Sequence, residues 1–275
     1  MNAPLPSPFA RASAVERLEP GRYRIQVEPA WFQGPGAFGG LTAAWLLRAL
    51  SGEVESSLRG SAARAPRELS GAFCAPVKEG EAELRARVVR AGLRVSYVTG
   101  ELLQRGKVAA TASAVFAAER AAAVEGFAEL AMPSAPPPAE VPCWEVPGLP
   151  AFVAAFELRQ CLGAAPISGR PDVESGGWVR LRQPEPVDAA LAAALLDCYP
   201  PALFTRLERA LPAATVAWSV HFLCPLPRPE TPRDAYHLLR VRTQVGTGGY
   251  SSEDDELWAP DGTLVARARQ LVAAV

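Results

Sequence analysis

The chain has 275 residues, is 49% hydrophobic and 21% charged, and carries a formal net charge of -1. That balance supplies core for one large or two modest globular units, and it excludes a basic nucleic-acid binder or a polybasic membrane-surface protein. Five scattered cysteines (Cys74, Cys143, Cys161, Cys198, Cys224), odd in number and without metal-ligand spacing, exclude a disulfide framework and a zinc centre.

Neither a bilayer-spanning run nor a signal-peptide pattern is present in the sequence, so the cytoplasm is the expected compartment. No cofactor or metal is expected. Residues 1–20 read as a loose lead-in. Tyr23 to Val27 alternates like a strand. A glycine-rich turn, Trp31 to Gly40, feeds a helix expected over Leu41 to Leu50 and ended by Ser51-Gly52. That helix is apolar nearly all round, which places it in the centre of a fold.

Four strands are predicted next: Leu69 to Val77, Glu81 to Val89, Arg94 to Gln104 and Lys107 to Phe116. In the second of these, Ala82, Leu84, Ala86 and Val88 share one face, opposite Glu83, Arg85 and Arg87, which is antiparallel patterning. Seven prolines between Met132 and Pro150 mark a linker. The expected organisation is therefore residues 1–130, a connection over 131–150, and residues 151–275.

The second half repeats the plan. Strands are expected at Phe152 to Gln160 and Trp178 to Arg182. A helix then runs through Val187 to Leu203, with Asp188 as N-cap and Pro200-Pro201 as terminator. Further strands follow at Thr215 to Leu223, Tyr236 to Val245, Tyr250 to Trp258 and Thr263 to Ala273. Phe73-Cys74-Ala75-Pro76 corresponds to Phe222-Leu223-Cys224-Pro225, and Gly106-Lys107-Val108-Ala109-Ala110 to Gly262-Thr263-Leu264-Val265-Ala266. An offset of about 150 residues is a duplicated domain, not a solenoid repeat.

Asp197 stands out in the second helix. Every residue from Ala189 to Leu196 is Ala or Leu, so a carboxylate in the last turn is poorly solvated and sits at the negative end of the helix dipole. Gln270, in Leu264-Val265-Ala266-Arg267-Ala268-Arg269-Gln270, shares a face with Ala266 and Ala268 and needs a hydrogen-bond partner there. Gly39 and Gly40 allow close approach to exposed amides at a helix N-terminus, a location suited to a developing oxyanion.

An antiparallel sheet wrapped round one buried helix, occurring twice, is an α+β double hotdog. The chain resembles the type II acyl-CoA thioesterases and the wider bacterial thioesterase-like proteins. The residues that carry the resemblance are Ala37-Phe38-Gly39-Gly40, Phe73 to Pro76, Gly177-Trp178-Val179-Arg180, Leu196-Asp197, Ala214-Thr215-Val216 and Asp261 through Gln270. The resemblance implies hydrolysis of an acyl-CoA thioester by water held between Asp197, Thr215 and Gln270. Phe38, Gly39 and Gly40 are then substrate-binding candidates. The first helix has no acid before Glu53, so one cleft of the pair is expected to be degenerate. A possible homo-oligomer pairing through sheet faces or edges, with no nucleic acid and no membrane as partner, completes the expectation.

Two other readings stand beside it. Hotdog hydratases resemble one another in an Asp–His pair near a Gly-Asp-x-Asn-Pro motif, and this chain has two histidines and no such motif. The alternative from another class is a non-catalytic acyl-thioester-binding protein. Of the remaining residues, His221 is expected as a core histidine and His237 as exposed at a strand start. Cys198 lacks a His partner for a nucleophile role. Glu253-Asp254-Asp255-Glu256 is expected as a solvated edge or loop. Trp31, Trp45, Trp178 and Trp218 would shorten an acyl tunnel. Arg22, Arg24, Arg180 and Arg182 are among the candidates for CoA phosphates.

Overall fold

The computed structural model describes residues 6–58, 62–121, 123–145 and 148–274. Part of the expected loose lead-in is ordered: α1 (Pro8–Ala12) is capped by Ser7 Oγ, which accepts from the Ala10 amide at 3.0 Å. Phe9 anchors it in the core beside Trp31. The remainder of that expectation, residues 1–5, lies outside the described residues.

The first half continues with β1 (Glu16–Glu19), β2 (Arg22–Val27), the short hairpin β3 (Phe32–Gln33) and β4 (Gly36–Ala37), and then α2 (Gly39–Ser57). The helix runs past the stop expected at Ser51-Gly52. Gly52 is a packing residue: a Cβ there would lie 2.7 Å from the Tyr23 hydroxyl, which donates to Glu53 Oε1 at 2.7 Å. Four strands follow: β5 (Ala65–Phe73), β6 (Gly80–Ala91), β7 (Val95–Gln104) and β8 (Lys107–Ala117).

The second half has β9 (Phe156–Gly163), β10 (Glu174–Leu181), α3 (Ala189–Leu196), β11 (Ala213–Phe222), β12 (His237–Thr247), β13 (Tyr250–Trp258) and β14 (Leu264–Ala274). Its helix is shorter than expected at the C-terminal end. Asp197 is the C-cap, and a 3-10 turn over Ala202–Arg206 follows the two prolines. The N-cap falls at Asp188, whose Oδ1 accepts from the Leu191 amide at 2.8 Å.

Twelve strands form one antiparallel sheet in the order β1-β2-β6-β7-β8-β5-β11-β14-β13-β12-β10-β9. The halves join where β5 pairs with β11, and Ser70 lies opposite Ser219. The repeat seen in the sequence thus has its pseudo-dyad at this seam. The sheet wraps α3, which is buried from Ala190 to Leu196, and α2, whose buried part runs from Gly40 to Leu50 with Arg48 half-buried. A single apolar core runs through both halves, from Tyr23 and Trp45 to Leu195 and Ala268. This is the double-hotdog arrangement. The proline-rich connection is strapped down: Trp178 Nε1 donates to the Pro136 carbonyl at 2.7 Å, and Val141 packs with Trp178 and Trp258. No described helix is long and apolar enough to cross a membrane.

Two histidines and one acidic run lie otherwise than the sequence suggests. His221 is exposed on the outer face of β11, because its neighbours Val220 and Phe222 take the inner face. His237 is buried at the start of β12, on the face of Leu239 and Val241, and burial pushes its pKa down to about 4. The acidic run Glu253 to Glu256 is neither edge nor loop: it is the middle of β13, between β12 and β14, and all four residues are buried.

Candidate active site

The two helices pack antiparallel, and the end of α3 meets the start of α2 at Asp197. Its Oδ2 accepts from the Gly40 amide at 2.6 Å, in the first turn of α2. A carboxylate at the unfavourable end of its own helix is thereby placed at the favourable end of another. The approach needs glycine twice. A Cβ on Gly39 would come within 2.8 Å of Asp197 Oδ2, and one on Gly40 within 2.8 Å of Ala194 Cα. Burial pushes the Asp197 carboxyl up to about 7, against the opposing pull of the Gly40 N–H.

A cleft of about 400 Å³ opens beside this contact. Its wall includes Gly39, Thr42, Phe73, Val77, Ala214 and Thr215. Thr215 reaches it through a β-bulge. Along β11 the register with β14 shifts between Thr215 and Ala217, so Thr215 faces Val272 while Trp218 faces Gln270. The extra residue, Val216, turns Thr215 onto the inner face that unbroken alternation would have denied it. There Thr215 Oγ1 donates to Gln270 Oε1 at 2.7 Å.

Gln270 is buried on β14, and its amide nitrogen donates to Asp255 Oδ2 at 2.9 Å and to Glu253 Oε1 at 3.3 Å. Glu253 Oε2 in turn accepts from the Ala202 amide at 2.6 Å and from Thr243 Oγ1 at 3.1 Å. Burial raises the pKa of both acids, that of Glu253 to about 8. The negative charge of Asp197 adds to both shifts, which brings the two groups of residues into one electrostatic neighbourhood.

Asp197 thus joins Gly40, and Thr215 joins Gln270. Among the described residues no hydrogen bond links Asp197 directly to Thr215 or Gln270. Phe38 stands apart: it is fully buried, stacked on Phe152 with centroids 4.2 Å apart, and its side chain lies in the core and not on the cleft wall. Trp31, Trp45, Trp178 and Trp218 are also buried and do not line this cleft. Burial pushes the Cys198 thiol well up, away from the thiolate. Among the described residues no cluster of His, Cys, Asp and Glu could hold a metal ion.

Sequence reasoning missed Glu253 and Asp255. A signal existed in the cross-strand charges. Asp254 and Glu256 face Arg269 and Arg267 on β14 and Arg242 and Arg240 on β12, which leaves Glu253 and Asp255 on the inner face. It also missed Lys78, whose Nζ donates to the carbonyl of the cleft residue Pro35 at 2.7 Å. Arg22, Arg24 and Arg180 are instead closely paired with Glu83, Glu16 and Glu157, and Arg182 lies 4.0 Å from Glu145.

The pseudo-equivalent end of the helix pair has a different chemistry. There α3 begins at its own cap, Asp188, and Arg48 of α2 lies 3.2 Å from that carboxylate. The acid has moved to the cap, and a cation stands on the facing helix.

Two family models match the chain: the acyl-CoA thioesterase C-terminal domain over residues 129–274 and the acyl-CoA thioesterase N-terminal domain over residues 27–117. Among solved structures, a protein of unknown function with a hot dog fold from Alicyclobacillus acidocaldarius is 30% identical. The match covers 98% of this chain and 99% of that one, with a TM-score of 0.88. An acyl-CoA thioesterase II from Mycobacterium marinum shares the fold at 20% identity and TM-score 0.75, over 97% and 98% of the two chains. A tesB protein from Mycobacterium avium subs paratuberculosis does so at 18% identity and TM-score 0.77, over the same shares. No curated protein matches.

Proposed function

Because this chain belongs to the acyl-CoA thioesterase family, with both of that family's domains matched in order, we propose that it hydrolyses an acyl-CoA thioester to the free acid and CoA at the Asp197 cleft. The observation that carries this reading is a carboxyl raised to about 7 behind a small cleft, next to a fixed Thr–Gln pair. A general base works best when its pKa lies near the operating pH.

The chemistry follows from donor directions. The Thr215 hydroxyl gives its proton to Gln270, so toward the cleft its oxygen can only accept. A water between Thr215 and Asp197 donates one hydrogen to each and turns a lone pair to the thioester carbon. Attack forms the C–O bond as Asp197 takes the proton. The negative charge goes to the former carbonyl oxygen. Gly40 N–H is occupied by Asp197, so the Gly39 amide is the remaining donor of the first turn on the cleft wall. Collapse breaks the C–S bond, and the proton on Asp197 passes to the sulfur, leaving the acid and the CoA thiol.

The wall contributed by Phe73, Pro76, Val77, Ala213, Ala214 and Ala273 suits an acyl chain, and about 400 Å³ favours a short one. Lys78, exposed beside this wall, is the cation placed to meet a CoA phosphate. Thiol release from acyl-CoAs of graded length tests the reading. Turnover above the heat-denatured control, with a maximum among short chains, is expected. Binding without turnover across the whole series would support the non-catalytic alternative instead.

A further inference from the structure

The buried acids of β13 have no part in the scheme above, yet they hold the side chain on which it depends. The Gln270 amide could be turned either way in its pocket. In the observed orientation its NH2 group meets Asp255 Oδ2 and Glu253 Oε1, and its carbonyl meets the Thr215 hydroxyl. The reverse orientation would set the carbonyl oxygen against two acids and the NH2 group against Thr215. Thr215 would then lose its acceptor and turn its hydroxyl proton elsewhere, into the space assigned to the water.

The two acids are not equivalent. Glu253 receives three donors: the Ala202 amide, the Thr243 hydroxyl and the Gln270 amide. Among the described residues Asp255 receives only Gln270, and its Oδ1 is buried without a partner. Donors favour the ionised form, and an unsolvated oxygen favours the protonated one. The titratable groups that face the pair come from the end of α3, namely Asp197 and Cys198. From β12 and β14 the facing groups are the uncharged Thr243 and Gln270. Asp254, between the two acids in sequence, takes the other face and pairs with Arg269 and Gln244.

We propose that Glu253 and Asp255 are positioning residues for thioester hydrolysis: together they clamp the Gln270 amide with its carbonyl toward Thr215, and Asp255 is the one that keeps its proton when Glu253 ionises. This rests on the hydrolase reading of the cleft. Above its own titration Glu253 acts as the anion, while Asp255 stays a neutral carboxylic acid whose carbonyl oxygen accepts from Gln270. The assignment predicts an asymmetry between two isosteric variants.

Asp255→Asn keeps a carbonyl acceptor for Gln270 and removes no charge, so its loss in kcat is the smaller of the two. At about pH 9, where Glu253 is the anion, Glu253→Gln must turn its own NH2 group toward one of three donors, and kcat falls about 10- to 100-fold with KM unchanged. A purely structural role would not confine the loss to kcat. Equal losses in the two variants, or no loss in Glu253→Gln, overturn the proposal.

Infrared spectroscopy makes the proton assignment independent of turnover. At about pH 9, above the titration of Asp197 and Glu253, wild type and Glu253→Gln should show the C=O band of a protonated carboxyl, and Asp255→Asn should lack it. Absence of that band in wild type overturns the assignment. A wild type that shows the band yet hydrolyses no acyl-CoA sinks the hydrolase reading and leaves the proton on Asp255.

Discussion

The Gly40 amide donates to Asp197 Oδ2 over 2.6 Å, so the end of one buried helix is docked on the start of the other across the pseudo-dyad. Neither helix completes the contact alone. The substitution Gly39→Ala tests how tightly it is built. The added methyl would come within 2.8 Å of Asp197 Oδ2 and must displace it. A loss of about 1–3 kcal/mol in urea unfolding is expected, with thiol release falling further than the stability change explains.

The raised Asp197 pKa has a signature in stability. Its folded value of about 7 lies above the roughly 3.9 of an exposed aspartate. The native state therefore holds a proton that the unfolded chain has released. This contribution is complete below the unfolded value and is lost as pH rises through the folded one. Asp197→Asn carries no such linkage. It should be more stable than wild type by about 1–3 kcal/mol near pH 8 and gain much less near pH 4. Thermal melts of both proteins at the two pH values measure the difference.

Thr215 is the residue that the bulge delivers to the cleft. Thr215→Val keeps the shape and removes the hydrogen bond to Gln270. A fall in kcat of about 10-fold or more is expected, with the far-ultraviolet circular dichroism unchanged. Thr215→Ser restores the hydroxyl and should recover most of the rate.

Asp188 offers the matched control. It caps α3 and faces Arg48 at the opposite end of the helix pair. Asp188→Ala should cost about 0.5–2 kcal/mol of stability through the lost cap. Steady-state kinetics should give an unchanged kcat, as expected of a site confined to the Asp197 cleft.

The architecture was legible in the sequence where side chains obey a single period. The Ala/Leu run of α3 had to be buried, the alternation of β6 had to make an antiparallel strand, and the offset of about 150 residues marked a duplicated unit, whose two copies join at the pairing of Ser70 with Ser219. Asp197 and Gln270 stood out as polar groups in apolar settings. Illegible were the features set by pairing between distant segments. The bulge at Val216 exists only in the register of β11 against β14. The run Glu253 to Glu256 has acids on both faces, so its own period says nothing. Only the arginines of β12 and β14, opposite Asp254 and Glu256, separate the faces. Gly52 reads as a helix stop until the Tyr23 hydroxyl is seen against it.

The most direct measurement is the rate of CoA thiol release by wild type and Asp197→Asn on the best acyl-CoA of the graded series. Asparagine can still accept from Gly40, so the fold and KM should be kept. The account predicts a loss in kcat of about 10²–10⁴-fold, because the water then has no base. Equal rates for the two folded proteins would contradict it and remove Asp197 from the chemistry.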